Sequence, residues 1–313
     1  MRTAHADHAQ YVAADFVPVD YVWRGGPLVD VVGDARFDYA IASHVIEHVP
    51  DMIGWVRHVL DVLVADGQLV LAIPDKRYTF DAARPDTSVG RHLEIAFRSP
   101  QVPQVSQVFE HFAGAVAMGE AELRGLWDGT LEPSRIRRLH TDEEALRHSL
   151  GGPRAGVYTD CHASVFTPRS FLHALSDLVR LGQLDVEVVG FFDTACYANE
   201  FMVMLRKRAY AGEAERLGES RRILDAYLPG LDGARALSPV RQATARRMAA
   251  ATGGREGAAN ESFTPREADL LRRLEEVRRE RDDARERMNA VLGSATWRVM
   301  EPYRRLMRRF GRA

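Results

Sequence analysis

The apolar positions between residues 37 and 74 predict a strand, a helix and a second strand. The run FDYAIAS at 37–43 is compact and apolar, which favours a strand buried on both faces. GQLVLAIP at 67–74 predicts a second buried strand that ends at a proline. Between the strands, apolar residues recur at helical spacing: Met52, Trp55, Val56, Val59, Leu60 and Leu63. Asp51 stands where the N-cap of this helix belongs, and Asp66-Gly67 supplies its stop. Strand, helix and strand with short joints form a βαβ unit, which predicts a parallel sheet.

The remaining pattern adds elements on both sides of this unit. FVPVDYV at 16–22 alternates apolar side chains and predicts a strand or its end. Helical spacing is visible near 103–126 and 141–149, and Thr167 followed by Pro168 is typical of the start of a further helix. LDVEVVGFF (184–192) and EFMVMLRK (200–207) predict two strands with a short connection, paired antiparallel. The fold class is therefore expected to be α/β.

The pattern also divides the chain into four parts. Residues 1–208 are expected to form the α/β domain, with an insert at 82–160. Residues 209–262 are rich in Ala, Gly and Arg and predict a partly helical linker, residues 263–292 a coiled coil, and residues 293–313 a basic amphipathic tail.

A heptad pattern carries the prediction of the coiled coil. Its steps of four and three run from 270 to 291 through Leu270, Leu274, Val277, Arg281, Ala284, Met288 and Val291. Arg281 is the one misfit. The pattern predicts a homo-oligomer formed through 270–291, and a solvated single helix is the alternative.

The tail at 297–310 alternates arginines with apolar side chains at helical spacing. Its apolar stripe consists of Tyr303, Leu306, Met307 and Phe310. A stripe of this kind beside arginines suits the surface of an anionic membrane or a partner protein. A helix that caps the coil is the alternative.

Composition narrows the class of protein. Of the 313 residues, 46% are apolar and 27% charged, enough for a sizeable core, which excludes wholesale disorder. The formal charge of −2 and the placement of basic residues on the tail argue against a nucleic-acid partner. Only two cysteines, Cys161 and Cys196, are present, and no secretory signal or membrane span is visible in the sequence. These features predict a cytoplasmic protein, peripheral at the inner face of the membrane if the tail binds lipid.

The densest group of chemically capable side chains lies at 43–51, directly after the first predicted strand. The carboxyl ends of strands are where open α/β sheets bind ligands. His44-x-x-Glu47-His48 matches the inverted zinc-protease motif as a string. That motif needs both histidines on one continuous helix, which Pro50 disfavours, and no third ligand is obvious. Glu47 and Asp51 could alternatively bind a divalent metal, but a capping role for Asp51 is the simpler interpretation, so no metal site is predicted.

Three separated phrases, which occur in order, carry a resemblance to a known family. They are FDYAIASHVIEHVPD, DGQLVLAIPDKRYTFD and DCHASVFTPRSF. Over about 11–208 the chain resembles class I S-adenosylmethionine-dependent methyltransferases, in a bacterial branch associated with surface-polysaccharide genes. The ending GSATWRVMEPYRRL is similar to that of bacterial glycan-assembly proteins. The resemblance implies a Rossmann-like sheet and S-adenosylmethionine as the cofactor.

The resemblance also shows a departure from the family. The first strand and its glycine-rich cofactor loop are expected upstream of residue 16, where the chain has almost no room. Gly25-Gly26 is not followed by a predicted helix and is interpreted as a turn. The sheet is therefore expected to be N-terminally incomplete. A truncated, non-catalytic scaffold that acts through its coiled coil and tail is the alternative to an enzyme.

By resemblance, the cofactor would contact residues on one side of the sheet. Asp20 would face the adenine amino group, with a solvated turn aspartate as the alternative. Ala42, Ser43 and His44 would pass along the cofactor at the end of the strand that contains them. Plain sheet core is the alternative for Ala42.

Methyl transfer to a hydroxyl requires alignment and removal of one proton, a task that suits histidine. His44 is the first candidate because it sits at the exit of its strand. His162, in Asp160-Cys161-His162, is the second, with Asp160 near enough in sequence to orient it, and His48 is the third. A structural role is the alternative for each.

The acceptor is expected at the loop that leaves the next strand. Lys76 and Arg77 could hold a phosphate or carboxylate, and Tyr78 could stack on a sugar, with Asp75 beside them. A charged loop packed on the insert is the alternative. The insert at 82–160 is expected to form the acceptor lid. Together these features predict methylation of a small-molecule or glycan acceptor, such as a nucleotide-linked sugar, in surface-polysaccharide biosynthesis.

Overall fold

A computed structural model describes residues 19–231 of the chain. All of its helices and strands lie in one compact unit that begins at Tyr21. The strands are β1 (Phe37–Ser43), β2 (Leu63–Pro74), β3 (Val186–Phe192) and β4 (Glu200–Lys207). The helices are α1 (Leu28–Val32), α2 (Met52–Asp61), α3 (Val89–Arg98), α4 (Val105–Gly114), α5 (Glu120–Asp128), α6 (Asp142–Gly151), α7 (Pro168–Arg180) and α8 (Glu213–Tyr227). Short 3-10 turns add Lys76–Tyr78, Pro133–Arg135, Pro153–Ala155 and Leu228–Gly230.

The predicted βαβ unit is confirmed as β1, α2 and β2, with β1 and β2 parallel. Asp51 caps α2, since its Oδ1 accepts from the backbone N–H of Gly54 at 2.9 Å. The predicted end of the helix is wrong, because α2 stops at Asp61 and Leu63 already belongs to β2. Asp66 lies in the irregular first part of that strand with a φ of 60°, so it bends a strand and does not end a helix.

The described strands form one mixed sheet in the order β1-β2-β4-β3. β4 runs antiparallel to both of its neighbours, which confirms the predicted antiparallel pair and places it between β2 and β3. The fold is α/β, as the sequence predicts, and the sheet is consistent with a methyltransferase domain.

The main core lies between this sheet and helices α2, α7 and α8. Leu69, Leu71 and Ile73 project into it from β2 and are fully buried. The prediction that the strand at 37–43 is buried on both faces is wrong for its first half. Tyr39 is 50% exposed and Asp38 is exposed as well. Adjacent strand residues point to opposite faces, so the described residues leave both faces of β1 open to solvent there.

Helices α3 to α6 form the insert between β2 and α7. α4, α5 and α6 correspond to the helical spacing predicted near 103–126 and 141–149, whereas α3 was not predicted. The insert has a small core of its own around Trp127 and Tyr78. The insert is therefore anchored to the loop that follows β2.

Helix α8 falls within the stretch 209–262, and its packing was not expected from the sequence. Ile223 is fully buried in the main core. Ser220 and Ser176 of α7 exchange a hydroxyl hydrogen bond at 2.7 Å, and the carboxylate of Glu219 accepts from the N–H of Val188 in β3 at 3.2 Å. The helix thus covers one end of the sheet.

Several predicted segments lie outside the described residues. These are 1–18, most of the linker, the coiled coil at 263–292 and the tail at 293–313. Within the strand predicted at 16–22, residues 19–22 form no strand. No helix between residues 19 and 231 has the length and apolar character needed to cross a membrane.

A buried histidine in α3 makes stability depend on pH. His92 is 4% exposed and stacks on Phe166 with ring centroids 5.5 Å apart. Within the described part of the chain its Nε2 has no hydrogen-bond partner. Burial, with a smaller contribution from Arg91, lowers the pKa of His92 to about 4. The unfolded chain, with a pKa near 6.5, therefore takes up a proton between these values that the folded chain does not.

We expect the free energy of unfolding to fall as the pH is lowered through this window. For His92 alone the loss between about pH 7 and about pH 5 is about 2 kcal/mol, at ~1.4 kcal/mol per pKa unit. His92→Phe keeps a ring on Phe166 and removes the titration, so urea unfolding of this variant should depend less on pH by that amount. An equal pH dependence of the two proteins would contradict the assignment.

Candidate functional site

The candidate site lies at the sheet edge where β1 and β2 end. Three segments meet there: the turn at 44–48, the loop at 75–81 and the segment at 160–166. The carbonyl of Glu47 accepts from the N–H of Ala163 at 2.6 Å, and the carbonyl of Phe166 accepts from the N–H of Lys76 at 2.9 Å. Backbone hydrogen bonds thus bring together side chains that are far apart in sequence.

The turn after β1 is not helical. His44 has a φ of 53°, a left-handed conformation that redirects the chain at the end of the strand. Residues 45–48 continue as a turn closed by a hydrogen bond from His48 N–H to the carbonyl of Val45 at 2.9 Å. The helix that the inverted zinc-protease motif requires is therefore absent, and His44 and His48 face different partners.

His44 pairs with a carboxylate that the sequence analysis missed. Its Nε2 lies 2.7 Å from Oε2 of Glu200, the first residue of β4, and its Nδ1 lies 3.6 Å from Oε1 of Glu47. An ionised carboxylate can only accept, so Nε2 carries the proton and Nδ1 of the neutral ring keeps a lone pair. The side chain is 18% exposed, which leaves the ring partly accessible at the sheet edge.

His48 pairs with Asp160, not with its neighbours in the turn. Its Nδ1 lies 2.9 Å from Oδ1 of Asp160, and the hydroxyl of Tyr158 donates to the His48 carbonyl at 3.3 Å. Burial lowers the pKa of His48, but the hydrogen bond to Asp160 and the charges of Glu47 and Asp160 outweigh it, so the pKa is raised. The same hydrogen bond lowers the pKa of Asp160.

His162 is oriented by Asp81 and not by the nearby Asp160. Its Nδ1 lies 2.5 Å from Oδ2 of Asp81, while Nη1 of Arg84 donates to Oδ1 of Asp81 at 2.7 Å. All three side chains are at least nine-tenths buried. Burial raises the pKa of Asp81, but the positive charge of His162 and of Arg84 and their hydrogen bonds outweigh it and lower the pKa strongly.

Glu47, His48 and His162 converge on one point. One ligand atom from each lies within 4.8 Å of the others, so the three could hold a metal ion. The rings of His48 and His162 pack edge to face with centroids 4.7 Å apart. The motif in the sequence offered His44 and His48 as histidine ligands, with no third ligand in view. The fold instead brings Glu47 and His48 together with His162, which lies 114 residues beyond His48.

Hydrogen bonds to the buried carboxylate of Asp75 fix the loop after β2. Asp75 is fully buried, and its carboxylate accepts from Nη2 of Arg77 at 2.7 Å and from the hydroxyl of Thr194 at 2.7 Å. The charge of Arg77 is therefore balanced within the loop. Lys76 is half-buried, and burial lowers its pKa, partly offset by the charges of Asp86 and Asp75.

Tyr78 packs on the insert and does not face an open cleft. It is 2% exposed and stacks on Trp127 of α5 with centroids 4.1 Å apart and planes at 8°. This geometry corresponds to the alternative in which the loop packs on the insert. Phe80 lies closer to the histidines, 4.6 Å from the ring of His162.

The predicted cofactor residues fall in two places. Ala42 and Ser43 are buried at the end of β1, beside Leu71 and Ala72 of β2. Asp20 is exposed and outside any helix or strand. The small side chains at the end of β1 permit close approach of a ligand to the backbone at this edge.

Sequence reasoning missed Glu200, Asp81 and Arg84 as members of the site. Glu200 opens a strand whose neighbours are apolar, and Asp81 ends the phrase PDKRYTFD that was otherwise assigned to the acceptor. For Glu200, the signal available in the sequence was a carboxylate at the end of a predicted strand. Its histidine partner could not be read from the sequence.

Comparison with known proteins gives a match that includes the strands β1 and β2 of the candidate site. Residues 3–151 match the model of a family described as "Methyltransferase domain". Neither the curated proteins nor the solved structures contain a match to the chain. The matched residues include β1, α2, β2, His44 and the loop after β2. Over residues 3–151, just under half of its length, the chain is therefore similar to a methyltransferase domain.

Proposed function

We propose that the chain is an S-adenosylmethionine-dependent methyltransferase that acts on a hydroxyl of a glycan or nucleotide-linked sugar in bacterial surface-polysaccharide biosynthesis. The observation that supports it best is the pair of His44 and Glu200, 2.7 Å apart, at the carboxyl end of β1 in a methyltransferase domain. This edge is where α/β sheets of this kind bind their ligands.

The residues at this edge fit the cofactor. Ala42 and Ser43 are small and buried, and the left-handed turn at His44 carries the chain away from the strand end. These three residues would line the cofactor on one side. When bound, S-adenosylmethionine supplies a methyl group already activated on a sulfonium, so the protein needs to position the acceptor and take one proton.

His44 is suited to take that proton. Glu200 holds the ring through Nε2–H, which leaves Nδ1 as the basic atom. The positive charge that forms on the ring would be stabilised by Glu200 and by Glu47, whose Oε1 lies 3.6 Å from Nδ1. A base oriented by a carboxylate in this way is an arrangement that general-base catalysis uses.

The acceptor would contact Lys76. Arg77 is engaged by Asp75, so the ammonium of Lys76 is the charge of this loop that we assign to a phosphate on the acceptor. A nucleotide-linked sugar carries such a phosphate. Surface-polysaccharide synthesis is supported by the phrases in the sequence, and the tail at 297–310 would hold the enzyme at the inner face of the membrane.

Calorimetric titration of the full chain with S-adenosylhomocysteine tests this proposal. We expect one site with a Kd in the low-micromolar range, about −8 kcal/mol. ATP at the same concentration is the control for adenine binding without the amino-acid end. If the protein gives no more heat with S-adenosylhomocysteine than with ATP, the enzyme proposal fails and the scaffold alternative takes its place.

A further inference from the structure

We propose that Glu47, His48 and His162 form a binding site for a divalent transition-metal ion of the zinc type. The proposal goes beyond the methyltransferase function and does not depend on it, because its ligands are protein side chains only. Three observations support it. One ligand atom from each residue lies within 4.8 Å of the others, the buried carboxylate of Glu47 accepts no hydrogen bond from the described residues, and a carboxylate holds the ring of each histidine.

Glu47 is a buried carboxylate without a hydrogen-bond partner among the described residues. It is 1% exposed, and neither Oε1 nor Oε2 accepts a hydrogen bond from any residue between 19 and 231. The ring nitrogens nearest to Oε1 are Nδ1 of His44 at 3.6 Å and Nε2 of His48 at 3.9 Å, both beyond hydrogen-bond range. A carboxylate removed from water without hydrogen bonds is costly, and a bound cation is what would compensate it.

In both histidines a carboxylate holds Nδ1, which leaves Nε2 as the nitrogen available to an ion. Nδ1 of His48 is taken by Asp160 at 2.9 Å, and Nδ1 of His162 by Asp81 at 2.5 Å. Since each carboxylate accepts the Nδ1 proton, the Nε2 atom of each ring carries a lone pair when that ring is neutral, and a bound ion would favour the neutral form. Metal-binding histidines are typically held this way, with the second nitrogen donating to a carboxylate.

The ligand set selects the class of metal. Two imidazole nitrogens and one carboxylate suit zinc and its neighbours, whereas magnesium and calcium prefer oxygen ligands alone. Three protein ligands leave a position open for water or another oxygen ligand, as in catalytic zinc sites. Ligands on one tetrahedral zinc lie about 3.3 Å apart, so binding would draw the three side chains together by about 1 Å.

Contacts around the three ligand residues already hold them near one another, which limits how far their side chains must move to bind an ion. Glu47 is tied by its carbonyl to the N–H of Ala163, next to His162. Arg84 anchors Asp81 through a buried ion pair at 2.7 Å, and Asp81 in turn holds the ring of His162. A bound ion would join the turn at 44–48 to the segment at 160–166 by coordination as well as by hydrogen bonds.

Zinc titration of the full chain, after treatment with a chelator, tests the site. With a chromogenic competitor we expect one equivalent bound tightly, and at least a hundredfold weaker binding in each of Glu47→Gln, His48→Gln and His162→Gln. His173→Gln, an exposed histidine of α7, is the matched control and should bind like the parent protein. If all four variants bind zinc like the parent, the ion sits elsewhere and the proposal is overturned.

Thermal unfolding separates loss of the site from loss of the fold. Zinc in excess should raise the Tm of the parent protein by on the order of 5 °C, because it binds only the folded state. Glu47→Gln removes a buried charge that accepts no hydrogen bond from the described residues, so its metal-free Tm should equal or exceed that of the parent, and zinc should not raise it. A Tm rise in Glu47→Gln equal to that of the parent would contradict the assignment.

Two further probes identify the metal class and keep the two proposals apart. Magnesium should give no Tm rise at the concentration at which zinc does, and an equal rise would overturn the transition-metal assignment. Cobalt in place of zinc should show the visible absorption of a four- or five-coordinate nitrogen–oxygen site, which His162→Gln abolishes; a spectrum unchanged in that variant would overturn the site. None of these measurements uses S-adenosylmethionine, so failure of the metal site and failure of the methyltransferase proposal are distinguishable.

Discussion

Asp81→Ala is expected to lower the free energy of unfolding by about 3–5 kcal/mol, the usual cost of removing one partner of a buried ion pair. Asp81 is the counterion of Arg84, whose side chain is 2% exposed. A guanidinium cannot lose its proton, so the variant would hold an uncompensated buried charge. Nδ1 of His162 would lose its acceptor as well. Urea unfolding in the presence of a chelator measures the loss without any contribution from a bound metal.

Two controls isolate the buried charge as the cause. Asp177→Ala removes a carboxylate from an exposed ion pair with Arg180, and should cost less than about 1 kcal/mol. The double variant Asp81→Ala/Arg84→Met removes both buried charges and should recover more than half of the loss. If Asp81→Ala costs no more than Asp177→Ala, the buried pair does not stabilise the fold in the way described.

His44→Asn is expected to reduce kcat for methyl transfer by about 10²- to 10⁴-fold, the range that general-base catalysis contributes. Asparagine tolerates the left-handed backbone of this position, so the turn should be retained. S-adenosylhomocysteine binding should change by less than about threefold, since the asparagine cannot act as a base but does not block the edge of β1. Transfer of a labelled methyl group to a nucleotide-linked sugar measures the effect.

Glu200→Gln tests the orienting role separately. The amide can still hold Nε2 of His44 but lacks the charge that stabilises the protonated ring, so we expect a smaller loss of kcat than in His44→Asn. Similar losses in His148→Gln, an exposed histidine of α6, would point to a general effect on the fold. If His44→Asn transfers methyl groups at the parent rate, His44 positions the acceptor and another group takes the proton.

The features that could be predicted from the sequence are those set by neighbouring residues. The cap at Asp51 and the helix opened by Thr167 and Pro168 are local hydrogen-bond arrangements, in which Thr167 Oγ1 accepts from Ser170 N–H at 3.0 Å. The strand at 200–207 is bounded as predicted, because its run of five apolar residues is flanked by charged residues within the segment. These interactions involve residues three or four apart, which a sequence pattern displays directly.

The sequence predicted where in the fold the candidate site lies, but not the contacts of its side chains. A strand end in a βαβ unit is sufficient to place His44 at the carboxyl edge of the sheet, and the structure shows His44 directly after β1. The loop at Asp75–Tyr78 was predicted at the same edge, but whether its side chains face an acceptor depends on what packs against them. Trp127, 49 residues away from Tyr78, covers that ring and was not assigned to it from the sequence.

The partners of the three histidines depend on tertiary structure. Glu200 lies 156 residues from His44, Asp160 lies 112 from His48, and Asp81 lies 81 from His162. Sequence proximity pointed instead to Asp160 as the partner of His162. Hydrogen-bond partners at such separations follow from strand order and loop packing, which no local pattern contains. The amino-acid sequence thus predicted several helices, the strands of the described sheet and the edge at which the candidate site lies. The folded chain selected which carboxylate each histidine meets, because that choice depends on contacts between distant segments.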